Sequence, residues 1–225
     1  MHRLDDHVVR WVIGAWKELT VPPTNKGRQT EAAFLDAARR TFAEKGYLNT
    51  KIADISAAAG RSTGSFYNYY DSKDRLLEAL LDRFSEEVVE QSLATRHTDP
   101  EAGVRAAVTA YWTTYKKYLP EIIGLFQMSM LDDDFRARWH ANRVSGIKQV
   151  LSGLHAAERA GYAVGLPLEP LASALVATLE SNCWTWLAVR NDAAGPVPDD
   201  DTAIEILTAI WYRTVFGSGP ASPAP

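Results

Sequence analysis

Apolar residues recur along this chain at intervals of three and four, the period of amphipathic helices. Val8, Trp11, Val12, Ala15, Trp16 and Leu19 form a first stripe over residues 2–19. It predicts an extra N-terminal helix, expected to lie on the protein's own surface because its polar face is not strongly basic. Residues 21–27 carry Pro22, Pro23 and Asn25 and read as a linker. Phe34, Ala37, Ala38, Thr41 and Phe42 then predict a helix over residues 30–45, stopped by Gly46. Ile52, Ile55, Ser56 and Ala59 share one face of a short helix that Thr50 is expected to cap. Gly60 ends it, since glycine takes the left-handed backbone conformation without steric cost. A second short helix, capped by Ser62 or Thr63, should run through Tyr69 with Phe66 and Tyr70 turned inward. Asp71 or Ser72 caps the next, which extends to about residue 95 through Leu76, Leu77, Leu80, Leu81, Phe84 and Val88.

Five more helices complete the chain. The first carries Val104, Val108, Tyr111, Tyr115 and Tyr118 up to Pro120, and a short one follows over residues 121–130. A longer one holds Phe135, Trp139, Asn142, Ile147, Val150 and Leu154 and ends near Gly161. The last two span residues 171–189 and 203–216, ahead of a proline-rich tail expected to be disordered. The fold class is therefore all-α, divided into an extension (1–25), a three-helix head (26–75), a helical body (76–217) and a tail (218–225).

Two short helices joined by a glycine turn are the form of a helix-turn-helix unit. The second has suitable chemistry for a major groove. Thr63, Gly64 and Ser65 are small, so its backbone can approach the duplex; hydroxyls reach phosphate oxygens, and Asn68 suits an adenine edge. Lys26 and Arg28, ahead of the first head helix, are placed to meet backbone phosphate.

The run Ile52, Ile55, Ala59-Gly60, Ser62, Gly64-Ser65-Phe66-Tyr67, Tyr69-Tyr70, Ser72-Lys73, Leu76-Leu77 closely resembles the DNA-binding region of the TetR family of transcriptional regulators. The resemblance covers roughly residues 28–84. It implies an all-helical homodimer with no cofactor, a three-helix head on double-stranded operator DNA, and a body whose buried pocket takes a small-molecule effector. By position it implies DNA contacts at Thr50, Ser62, Thr63, Ser65, Tyr67, Tyr69 and Lys73, mostly with phosphate for Tyr67, Tyr69 and Lys73. Arg61 and Thr63 depart from the apolar and basic residues of many relatives, so the base preference does not carry over.

The net charge of −4 seems unsuited to a polyanion, but its distribution reverses that impression. Residues 25–75 hold nine Lys or Arg against six Asp or Glu, net +3, and residues 76–225 twelve against nineteen, net −7. A basic head on an acidic body presents one end to DNA. No apolar run approaches the length of a membrane span, Asp5 and Asp6 occupy the place of a basic leader, and one cysteine excludes an internal disulfide, so the cytoplasm is the expected compartment.

In the body, Trp112, Phe126, Met128, Met130, Trp139, Cys183, Trp184 and Trp186 supply aromatic and sulfur-bearing surface, and Asn142, Glu180 and Asn182 set polar groups among apolar stretches. That mixture suits a small-molecule site, for which Trp112, Phe126, Met130, Trp139, Asn142, Glu180, Cys183 and Trp184 are the candidates. The stretches LASALVATLESNCWTWL and TAIWYRTVFG are similar to the ethionamide-resistance type of repressor, which implies an elongated, hydrophobic pocket. By the same resemblance the last two helices pair across a dimer, with Leu171, Leu175, Leu179, Trp186, Leu207, Trp211 and Val215 as contacts. No metal site is expected: Asp132, Asp133 and Asp134 suit a helix N-terminus better than a cation loop. Catalysis lacks a motif, since the histidines are scattered and Cys183 has none nearby. The main alternative is a helical interaction protein that no longer binds specific DNA.

Overall fold

The structure, a computed structural model, describes residues 24–94, 97–191 and 195–217. The expected N-terminal helix and the tail from residue 218 lie outside these residues. The described residues form α1 (Asn25–Lys45), α2 (Ile52–Ala58), α3 (Thr63–Tyr67), α4 (Lys73–Leu93), α5 (Pro100–Lys117), α6 (Leu119–Ser129), α7 (Asp133–Arg159), α8 (Leu168–Cys183) and α9 (Asp200–Phe216). A π-helical turn, Trp184–Val189, continues α8.

Helix α1 begins five residues before the periodicity suggests. Thr24 caps it by accepting from the Gly27 N–H at 3.2 Å, and the polar turn that follows holds no apolar residue to reveal the start. Lys26 and Arg28 thus sit inside the first turn rather than ahead of it. Helix α2 lacks the expected cap from Thr50; Lys51 occupies the cap position. Gly60, at φ +64°, makes the turn, and Ser62 caps α3 by accepting from the Ser65 N–H at 3.1 Å. The three helices close on Phe34, Ile55 and Phe66, with the Phe34 and Phe66 rings edge-to-face at 5.5 Å.

Ser72 starts α4, accepting from the Arg75 N–H at 3.1 Å. Leu76, Leu77, Leu80 and Leu81 are fully buried, each worth roughly 1.5–3 kcal/mol relative to exposure. They belong to one core that runs from Phe34 in the head to Leu207 on α9 without a break. A second cluster, including Leu154, Val164, Leu171 and Val215, closes the far end of the body.

Pro120 lies in the first turn of α6 and Pro170 in the first turn of α8, where a missing N–H costs nothing. Helix α8 therefore starts before Pro170, not after it. Asp132 caps α7, accepting from the N–H groups of Asp134 at 2.9 Å and Phe135 at 3.2 Å. Lys116 and the Trp112 indole N–H both hold Asp200, at 2.6 and 3.1 Å, pinning the start of α9 to α5.

Besides the shared core, two contacts hold α1 and the turn after it to α6. Glu121 on α6, with no exposed surface, accepts from Arg39 Nε on α1 at 3.2 Å, and Arg39 also donates to the Lys117 carbonyl at 2.7 Å. Tyr47, just after α1, packs closely on Gly124 of α6: a Cβ there would stand 2.8 Å from that of Tyr47.

Candidate nucleic-acid interface and cavity

Helix α3 owes its outward face to Phe66 alone, the one residue of its single turn and a half that plugs into the head core. Arg61, Ser62, Thr63, Gly64 and Asn68 are exposed, Ser65 and Tyr69 are half-buried, and Tyr67 is 53% exposed. Tyr69 rests on Phe34, ring centres 5.8 Å apart. A shallow depression of about 410 Å³ brings Lys26, Arg61, Ser65, Asn68 and Tyr69 together. The first turn of α1 beside it contains no acidic residue, so helix dipole and cations act in the same sense. Arg28 is exposed on that turn and donates to Asn25.

Two expected DNA contacts are placed otherwise. Thr50 is 3% exposed and its hydroxyl donates to the Gly46 carbonyl at 2.8 Å, so its side chain braces the turn between α1 and α2 rather than facing a duplex. Lys73 donates to the Tyr47 and Thr50 carbonyls at 2.8 and 2.9 Å and lies over the Tyr47 ring at 4.2 Å. Burial lowers its pKa. Two of its three ammonium protons hold the chain to itself. Sequence position alone does not distinguish a lysine that meets phosphate from one that clamps a turn.

The body encloses a cavity of about 760 Å³ between α4 and α9. Of the candidate ligand residues, Phe126, Trp139, Asn142, Glu180 and Trp184 line it. Phe126 packs against Trp184 at 4.3 Å and Trp139 at 5.9 Å, forming one aromatic wall. Three candidates are elsewhere. Trp112 is buried in the core against Trp186, where Asp200 satisfies its indole. Met130 is 65% exposed at the end of α6. Cys183 is fully buried in the core, and burial pushes its thiol pKa far up.

Among the lining residues the sequence reading missed, the polar ones carry chemistry. Arg143 donates to Glu180 in an ion pair across α7 and α8; burial holds the Glu180 carboxyl above its usual range, against the pull of Arg143. Tyr111 and Tyr115 line the same wall, their phenols pushed up chiefly by burial. A tyrosine stripe at 111, 115 and 118 was the available signal, since phenylalanine or leucine would fill a core without a hydroxyl to satisfy.

The expected dimer contacts also need correction. Leu171, Leu175, Leu179, Leu207 and Val215 are buried within their own chain, while Trp186 and Trp211 pack against its core. Periodicity marks a buried stripe on each helix and does not say whether the same chain or a second one covers it. Ile206 and Ile210 are the large apolar residues that α9 exposes, and Ala174 is exposed on α8.

Comparison with known proteins agrees with this architecture. Residues 34–80 match the family described as bacterial regulatory proteins, tetR family. The chain is 22% identical over 205 residues to the HTH-type transcriptional regulator EthR of Mycolicibacterium smegmatis, covering 88% of this chain and 91% of that one. It is 29% identical over 150 residues to the HTH-type transcriptional repressor KstR2 of Rhodococcus jostii, covering 58% and 72%. A TetR transcription regulator from Haloarcula marismortui shares the fold, with a TM-score of 0.68 at 19% identity over 84% of this chain and 97% of that one. The matched segment begins in α1 and ends in α4, so the head of this chain, enclosing the helix-turn-helix, carries the domain that matches the tetR family of bacterial regulatory proteins.

Proposed function

We infer that the protein is a ligand-responsive repressor, acting as a homodimer on a near-palindromic operator and released from it by a small, largely hydrophobic effector. The observation that carries this reading is α4. The helix starts at Lys73, directly after the helix-turn-helix, and its side chains from Leu81 to Ser92 form one wall of the cavity. An occupant that fits one tilt of α4 better than another shifts the population of head positions by its difference in affinity for the two. Tyr47 against Gly124 and Arg39 on Glu121 give the body a second hold on the head.

Each subunit would place one α3 in a half-site, so the spacing of two heads decides whether a duplex is held. The exposed faces of α8 and α9, with Ala174, Ile206 and Ile210, are the surface through which two chains would pair. The name of the Rhodococcus jostii relative supports repression over activation. The test is fluorescence anisotropy with DNA from upstream of the gene. A salt-sensitive, sequence-selective complex is expected, and its absence at moderate salt overturns the reading.

A further inference from the structure

The two ends of the cavity differ in chemistry. Its α4 wall runs from Leu81 to Ser92, roughly 16 Å at 1.5 Å per residue. At the end nearer the head, Tyr111 and Tyr115 pack on Phe84 at 5.9 and 6.4 Å and lie within electrostatic reach of Glu180. Asn142 precedes Arg143 on the same stretch of wall. The far end, at Val104, Leu154 and Val215, is mostly apolar, with the Ser92 hydroxyl and the unpaired Trp211 indole N–H as its polar groups.

The polar end contains unmet hydrogen-bonding capacity and no unmet charge. Neither the Tyr111 and Tyr115 hydroxyls nor the Asn142 amide has a hydrogen-bond partner among the described residues, although Tyr115 is only 4% exposed. Polar groups in such surroundings gain from any partner that enters. Arg143 and Glu180, by contrast, already neutralise one another. A carboxylate placed there would face Glu180, and an ammonium would face Arg143.

We propose that the effector is an uncharged amphipath, a chain of about a dozen carbons judged from the reach of extended chain, whose hydroxyl or carbonyl end meets Tyr111, Tyr115 and Asn142. Its hydrocarbon tail lies toward Val104 and Leu154. This rests on the cavity being the effector site, and it adds the class of molecule that fills it.

The experiment titrates the full-length protein at pH 7 with dodecan-1-ol, dodecan-2-one, dodecanoate and dodecylammonium, each below its micelle concentration. Binding is read from the fluorescence of the cavity tryptophans and DNA release from anisotropy. The alcohol or ketone should bind about tenfold more tightly than either ion, the effect of about one hydrogen bond to an otherwise unpaired group. Replacing both phenols, Tyr111→Phe with Tyr115→Phe, should remove that preference while the thermal midpoint of the free protein stays in place. Glu180→Gln should raise dodecanoate affinity by leaving Arg143 without its carboxylate. Tighter or equal binding of an ion by the wild type, or no binding of any probe, overturns the proposal. If an ion binds best and releases DNA, effector control stands and the proposed chemistry fails; if the alcohol binds best and DNA is not released, the chemistry stands and effector control fails.

Discussion

Tyr67 is the most exposed aromatic residue of the head, and its ring contributes only an edge contact with Phe66 at 5.7 Å. Tyr67→Ala should therefore leave the thermal midpoint within a degree or two, surface substitutions costing about 0.5 kcal/mol or less. Operator affinity should fall about tenfold or more, as expected for a lost recognition contact. Lys73→Met is the informative contrast. Its ammonium serves two carbonyls of its own chain, so the loss should appear in stability as well as in DNA binding, by about 1–3 kcal/mol in a denaturant titration. Glu121 supplies a pH dependence. Burial raises its pKa, so the folded state favours the protonated carboxyl. Its favourable contribution is full below the ordinary value of 4.5 and declines as pH rises through the raised value. Glu121→Gln should flatten that decline in a series of unfolding curves from pH 4 upward. The opposite replacement, Arg39→Met, strands the carboxylate and should cost about 3 kcal/mol at neutral pH.

At the scale of elements, the joint between α1 and α6 depends on the bare backbone of Gly124. Gly124→Ala must push against the Tyr47 ring, and overpacking of this kind costs about 1–3 kcal/mol. The variant should melt earlier and should respond less to effector, because Tyr47 also anchors Lys73 at the start of α4. The elements themselves were largely legible: Gly46 and Gly60 as stops, Ser62 and Ser72 as caps, and the leucines of α4 as one buried stripe each follow from residue chemistry. What was illegible has a common cause. Periodicity says that one face is buried but is silent on which neighbour covers it: Leu171, Leu207 and Val215, expected at an interface by resemblance, are buried in their own chain. Thr50 and Lys73 match the motif, yet their hydrogen bonds run inward to carbonyls whose positions only the folded chain reveals. Arg143 is not legible in the sequence because its partner Glu180 lies 37 residues away on another helix.

At the scale of the whole molecule, a basic head and an acidic body make salt a direct probe of orientation. DNA affinity should fall linearly on a logarithmic plot against salt. Lys26→Gln should weaken binding to all sequences alike and shallow that slope by about one. Assembly through the outer faces of α8 and α9, as proposed, has its own test. Ile206→Asp with Ile210→Asp should yield monomers by light scattering, with the head folded and operator binding reduced to the level of a single half-site.

On the proposed effector reading, the orientation of the cavity separates tight occupancy from productive occupancy. Its mostly apolar end is walled by the late part of α4 and the distal cluster, whereas its polar end lies beside the early part of α4. Lengthening a tail should improve potency, while altering the terminal group should change the maximal response. A plain alkane should then behave as a silent antagonist, competing for space without derepressing transcription.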